Sequence, residues 1–258
     1  MTITLPPRPE GLSPITIEDN KNIVIIGANG SGKTRIGSYI EENYTYDTHR
    51  ISAQKSLTIP QNINITSTNK ALIELLYGSY DIQDMNWLRV KGKFNHRWGN
   101  NLNTTLLNDY NQLLTYLLSE EAELAIQYKN NPNNNFTKPI SRLDKIKAIW
   151  EEILQHRKLI IRAGKIEVHV ITQAPTYNAS EMSDGDRVMI YQLGEILSVN
   201  DNSIVIIDEP EMHIHKSILI PFWNKIENMR NDCQFVYLTH DIEFAASRIN
   251  SVKIWVKS

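Results

Sequence analysis

One cysteine, Cys233, stands in a chain of 258 residues. It cannot close an internal disulfide, which suits a reducing compartment. Long apolar runs are missing too. No stretch approaches the roughly 20 residues that span a bilayer, and the N-terminal Met1-Thr-Ile-Thr-Leu-Pro-Pro-Arg8 lacks the apolar centre of a signal peptide. A soluble, cytoplasmic chain without a membrane partner is expected. An excess of one charge is also absent: 27 Lys and Arg face 29 Asp and Glu, for a net charge of −2. That balance supplies no global attraction to nucleic acid and leaves DNA as a partner only through a local patch. No internal repeat is visible. With 41% hydrophobic residues, the chain can build a sizeable core, as one large α/β domain or a domain carrying an insertion.

What the sequence does have is the run Gly27-Ala28-Asn29-Gly30-Ser31-Gly32-Lys33-Thr34. It follows the apolar stretch Ile23-Val24-Ile25-Ile26, read as a buried strand, and precedes Arg35–Glu42, read as a helix. This is a phosphate-binding loop in the strand–loop–helix setting its chemistry needs. Glycines let successive N–H groups point at one phosphate chain, and the helix N-terminus adds a favourable dipole. Asn29, Gly30, Ser31, Gly32, Lys33, Thr34 and Arg35 form the expected nucleotide-binding set. Lys33 is expected to reach the β- and γ-phosphates and Thr34 to ligate Mg²⁺. The chain is therefore read as binding a nucleoside triphosphate with Mg²⁺.

A second apolar run, Ile204–Ile207, ends in Asp208-Glu209. Ligands of open α/β sheets bind at the C-terminal edge of the strands, so these acids are expected to meet the loop. Asp208 is read as a direct or indirect partner of Mg²⁺, and Glu209 as the base or orienter of attacking water. The strand Phe235–Leu238 ends in Thr239-His240-Asp241, where His240 can bond a γ-phosphate or the neighbouring water. Ser180-Glu-Met-Ser-Asp-Gly-Asp-Arg187 opens a further helix with a Ser183/Gly185 turn, a second anion-binding device. One chain with one phosphate loop has no use for two cradles. Two copies in head-to-tail symmetry do, each capping the nucleotide held by the other.

Between these elements the chain alternates strands and helices, which predicts a mainly parallel sheet with flanking helices. Thr68–Tyr77 reads as a helix stopped by Gly78, and His49–Ile59 as an extended segment ended by Pro60. Residues 80–160 read as a helical insertion within a domain spanning 1–258, either a lid on that domain or an arm that holds a partner. In it Leu106, Tyr110, Leu113, Leu117, Leu124 and Tyr128 mark a long amphipathic helix of about 35–40 Å. Asn130–Asn135 is a polar breaker, and Leu143–Leu154 carries a second helix. Ala163-Gly164 turns a hairpin between Leu159–Arg162 and Lys165–Ile171. The basic and aromatic stretch Arg89–Trp98 reads first as a solvated loop around a buried Trp98, and secondly as a contact for nucleic acid, an adenine ring or a partner. His213 and His215, beside Glu211, suggest a cation site less than they suggest an interface loop.

The order of phosphate loop, Ser-Asp-Gly-Asp-Arg turn, Asp208-Glu209-Pro210 and strand-end His240 resembles an ABC-type ATPase head. The helix-filled gap between Lys33 and Ser183 is similar to the SMC, RecF and OLD-like branch. Arg50-Ile-Ser-Ala-Gln-Lys-Ser-Leu57, Glu181–Arg187 and Asp208-Glu-Pro-Glu-Met-His-Ile-His215 are similar to bacterial anti-phage ATPases of the PARIS and Septu kind. The resemblance implies an α/β P-loop NTPase fold of ABC type with an N-terminal antiparallel portion. It implies Gln54 as a glutamine sensing Mg²⁺ and water, Ser183 and Gly185 contacting the γ-phosphate across a homodimer, Glu209 as catalytic glutamate and His240 as switch histidine. It also implies an effector, beyond residue 258 or on another chain. Three features depart from the family pattern: Asp184 and Asp186 add negative charge beside phosphate, His215 replaces an aspartate, and Gln54 lies close to the loop in sequence. The alternatives are a DNA-clamping ATPase of RecF or SMC type, a transporter subunit, and a module that binds ATP without turnover.

Overall fold

A computed structural model describes residues 2–7, 13–18, 21–44, 48–80, 83–130, 137–172 and 175–257. The chain divides into two compact units, one of Met1–Lys55, Asp81–Leu107 and Val199–Ser258, the other of Ser56–Tyr80 and Asn108–Ser198. Residues 80–160, read from the sequence as one insertion, thus contribute to both units. Residues 131–135 of the Asn-rich breaker lie outside the described residues.

The first unit is built on strands β1 (Ile3–Thr4), β2 (Thr16–Ile17), β3 (Ile23–Ile26) and β4 (Thr48–Ile51). Later strands of this unit are β8 (Ile204–Asp208), β9 (Gln234–Thr239) and β10 (Val252–Trp255). β1 and β2 form an antiparallel pair, and the others make a five-stranded sheet in the order β10-β3-β9-β8-β4, every pairing parallel. β3 (Ile-Val-Ile-Ile) and β8 (Ile-Val-Ile-Ile-Asp) are buried throughout. Continuous β-branched residues suit strands covered on both faces. Helices α1 (Lys33–Asn43) and α9 (Ile242–Ser247) pack on this sheet, and α8 (Lys216–Met229) packs on α9. Gly37 lets α1 approach closely, since a Cβ there would lie 2.6 Å from Leu238 Cδ1.

The stretch read as a solvated loop is helical. Met85–Trp87 (α3), a π turn over Leu88–Gly92 and Lys93–His96 (α4) run almost without a break. Trp98 is buried as expected, but so are two of the basic residues, Lys93 and Arg97. Their task is to close an open sheet edge. Lys93 Nζ donates to Thr48 O at 2.8 Å and Arg97 Nη1 to Arg50 O at 3.0 Å, both carbonyls of the edge strand β4. Unpaired edge groups are a liability that proteins cover. α1 supplies a counter-charge. Glu41 lies 2.7 Å from Lys93 Nζ and 2.9 Å from Arg50 Nε, and it accepts from Trp98 Nε1 at 3.2 Å. Arg50 stacks on the Trp98 ring, 4.0 Å from its centroid. Burial alone would raise the Glu41 carboxyl, yet Lys93, then Arg50 and Arg97, outweigh it and hold it at about 2.

The second unit joins α2 (Thr68–Tyr77), α5 (Tyr110–Asn130), α6 (Arg142–Ile153) and α7 (Asp184–Ser198) to a sheet of β5 (Arg157–Arg162), β6 (Lys165–Val170) and β7 (Tyr177–Asn178). α2 ends at Gly78 in a left-handed turn, as its sequence dictates. α5 is shorter than expected: its 21 residues span about 31 Å. It begins at Tyr110, and Leu106 ahead of it is exposed. Its apolar stripe packs on α2, α6 and α7. Gly194 of α7 lets Leu113 in, 2.9 Å from where a Cβ would stand. A capping box between Ser141 and Asp144 starts α6. The β5–β6 hairpin turns at Gly164 with φ 71°.

Glu41→Gln strips a buried acid from beside Lys93 and Arg50 and is expected to cost about 3–5 kcal/mol at neutral pH. Because the folded carboxyl titrates below its ordinary value of 4.5, at about 2, its contribution is present above pH 5 and fades as pH falls towards 2. Urea unfolding of both proteins across that range checks this. A difference that does not shrink in acid would contradict the assignment.

Candidate functional site

The strands of the first unit end in register. Ile26 pairs with Thr239, and Asp208 with Leu238. The residues that follow, from Gly27, Glu209 and His240, therefore emerge along one sheet edge. Gly30 and Gly32 have φ of 81° and 93°, and a Cβ at either would meet nothing within 4 Å. Glycine is required there by backbone conformation, not by crowding. The turn releases the chain into α1 at Lys33, so the helix N-terminus faces the loop.

Lys33 is buried, and its Nζ donates to Gly27 O at 2.9 Å and Ala28 O at 3.1 Å. The same ammonium lies 3.6 Å from Glu209 Oε1. Thr34 Oγ1 donates to Asp208 Oδ2 at 2.9 Å, joining the loop to the tip of β8. Burial pushes the Asp208 carboxyl above its ordinary value, while the Thr34 hydroxyl and Arg50 oppose it. An acid held this way gains from a cation at the Thr34–Asp208 pair. A hydroxyl beside a carboxylate is the oxygen donor set that Mg²⁺ takes. Ser31 Oγ is buried without a hydrogen bond among the described residues. Asn29, Gly30 and Arg35 are exposed. The loop, its lysine and this oxygen pair fit a Mg-nucleotide.

Glu209 has φ 53°. A left-handed conformation is costly for a residue with a side chain, and the following proline restricts it further. The surroundings fix it: Glu209 N donates to Leu238 O at 2.9 Å, Met212 N donates back to Glu209 O at 3.0 Å, and Trp223 Nε1 holds Pro210 O at 3.1 Å. The resulting turn sends Glu209 Oε2 to 2.5 Å from His240 Nδ1. Sequence reasoning missed Glu211 in this cluster. Its Oε1 accepts from Thr239 Oγ1 at 2.7 Å and lies 3.2 Å from His240 Nδ1. Burial, with the charge of Glu209 adding to it, pushes the Glu211 carboxyl up against the Thr239 hydroxyl. The signal was its place in Asp208-Glu-Pro-Glu211, where a proline between two acids enforces a turn.

Gln54 lies exposed past the end of β4, its backbone O accepting from Leu107 N at 3.1 Å, and its amide makes no hydrogen bond to Thr34 or Asp208 among the described residues. His215 caps α8, its ring accepting from Ser217 N at 3.3 Å, and His213 is exposed at φ 63°. The helix cap engages the Nδ1 of His215. Cys233 is buried, its thiol pushed up to about 11 by burial. It is an unreactive structural residue.

The Ser183 turn belongs to the second unit. Ser183 is exposed and its Oγ accepts from Asp186 N at 3.3 Å, capping α7. The two aspartates are neutralised: Asp186 is buried in an ion pair with Arg157, and Asp184 lies 3.3 Å from Arg187. Arg187 also holds Met182 O and Leu57 O, at 2.9 and 3.0 Å. The negative charge that these residues bring is thus countered locally.

The chain belongs to the family described as "AAA domain, putative AbiEii toxin, Type IV TA system", whose profile matches residues 35–246. Among solved structures, a nucleotide-free ATP-binding cassette from an ABC transporter aligns over 98% of this chain and 87% of its own, at 14% identity and a TM-score of 0.44. The ADP conformation of another ABC transporter cassette aligns over 95% and 82%, at 14% identity and a TM-score of 0.42. An SMC head bound to the C-winged helix domain of ScpA aligns over 91% and 87%, at 14% identity and a TM-score of 0.43. No curated protein matches the chain. The parallel sheet and flanking helices are the α/β class read from the sequence, and no helix among the described residues is long and apolar enough to cross a membrane.

Relieving the backbone at Glu209 is expected to stabilise the fold. Glu209→Gly should raise the free energy of unfolding by about 1 kcal/mol. Urea denaturation measures this, and a lowered midpoint would contradict stored strain.

Proposed function

We propose that this chain is an ABC-type ATPase that hydrolyses ATP between two copies of itself and uses the cycle as a conformational switch. The observation that carries the proposal is the convergence of Lys33, Thr34, Asp208, Glu209 and His240 on one sheet edge. Lys33 exchanges the carbonyls of Gly27 and Ala28 for phosphate oxygens. Thr34 and Asp208 hold Mg²⁺, which supplies neutralisation of charge on the phosphates. Glu209, released from Lys33, orients a water and accepts its proton as the water attacks the γ-phosphorus in line. The bond to the bridging oxygen breaks and leaves ADP and phosphate. His240 stabilises charge on the γ-phosphoryl oxygens.

Ser183 and Gly185, at the exposed start of α7, offer the second cradle. In this reading they cap the nucleotide of the partner copy, so that binding closes the pair and hydrolysis reopens it. The output is control of an effector, in bacterial anti-phage defence. Support comes from the three sequence segments of PARIS and Septu type and from membership of a family described by a toxin of a toxin–antitoxin system. The rival reading, a DNA clamp, is weakened because the basic stretch spends Lys93 and Arg97 on the β4 edge. The cytoplasm is the compartment this reading requires.

Glu209→Gln should keep ATP binding and lower single-turnover hydrolysis by about 10²–10⁴-fold, whereas Lys33→Ala should lose binding in calorimetry. Parental hydrolysis by Glu209→Gln would remove the catalytic role.

A further inference from the structure

Among the described residues, the two carboxylates of the strand-end cluster, Glu209 and Glu211, both turn to one imidazole nitrogen. His240 has a single Nδ1–H, and two carboxylate oxygens converge on that atom, Glu209 Oε2 at 2.5 Å and Glu211 Oε1 at 3.2 Å. The two acids are not equivalent. Glu209 is shared with Lys33 and, in the reading above, must turn to a water during hydrolysis. Glu211 is anchored from behind. Asp241 N donates to Thr239 Oγ1 at 2.9 Å, and Thr239 Oγ1 passes its own hydrogen to Glu211 Oε1 at 2.7 Å. Thr239 is fully buried at the last position of β9, so this relay is fixed to the sheet. The backbone does the same, with Ile214 N donating to Glu211 O at 3.2 Å. Glu211 Oε2 is buried without a hydrogen bond among the described residues, an acceptor in reserve.

Resting on the ATPase reading, we infer that Glu211 is a positioning residue. It takes over the Nδ1–H of His240 when Glu209 leaves for the attacking water, and so holds the imidazole while Glu209 works. A histidine tied only to Glu209 would lose its orientation at the moment that Glu209 is needed. The second acid removes that conflict, and Thr239 sets where it stands. The charged groups around the imidazole are Glu209 and Glu211 from the turn after β8, with Lys33 of α1 on the far side of Glu209. Glu211 touches no reacting atom in this scheme. Its effect reaches catalysis through His240.

A double-mutant cycle on the full chain tests this. Glu211→Gln should lower kcat by about 10- to 100-fold, with KM and ATP affinity within about twofold of the parent, since a misplaced group costs rate and not binding. Thr239→Val, which removes only the anchoring hydroxyl, should lower kcat in the same direction by less. In a His240→Ala background Glu211→Gln should change kcat by less than about twofold, because the residue it positions is gone. Equal losses in the two backgrounds, or an unchanged kcat in Glu211→Gln, would overturn the role of Glu211 while leaving the ATPase reading intact. Unchanged turnover in Glu209→Gln and His240→Ala would overturn both.

Discussion

The parallel register of β3, β9 and β8 is the constraint on which the rest depends. It aligns Ile26 with Thr239 and Leu238 with Asp208, so three connections distant in sequence start from one edge. These strands are buried on both faces, so the alignment is fixed by which side chains pack against one another across the sheet rather than by a choice between core and solvent. Lys33 and Asp208 are brought together by core packing rather than by their own attraction. The helices then add direction: α1 presents the loop N–H groups, and Gly37 brings it close enough to Leu238 for the loop to sit over the strand tips.

The price of that arrangement falls on the site. Glu209 sits at φ 53°, Asp208 and Glu211 are carboxyls raised by burial, and Lys33 is occupied by its own loop carbonyls. Such local conflicts are expected where a structure serves chemistry over stability. A cation, a phosphate chain and a water would each relieve one of them. The second unit shows the opposite economy. Around Ser183 the acids are paired, Asp186 with Arg157 and Asp184 with Arg187, and the serine hydroxyl caps its helix. That turn is already settled before any ligand arrives.

Local signals read well from the chain. The phosphate loop, the strands ending at Asp208 and Thr239, and α2 with its Gly78 stop all follow from short-range patterns. Long-range pairing did not. Nothing near Lys93 or Arg97 announces burial; their counter-charge, Glu41, lies on α1, and the carbonyls they cap belong to a strand 45 and 47 residues earlier. The leucine stripe set α5 too early because Leu106 fits the period but stays outside the core. Glu211 was obscured because its partner, Thr239, is reached only through the sheet. The division of residues 80–160 between two units likewise depends on contacts that periodicity does not encode.

The central claim is that the nucleotide edge of one copy is completed by the Ser183 turn of another. Sedimentation velocity of the Glu209→Gln protein measures it directly. The account predicts a monomer without nucleotide, a dimer with Mg-ATP, and a monomer again when Ser183→Arg is added under the same conditions. A mass independent of ATP, or a dimer that survives Ser183→Arg, would contradict it.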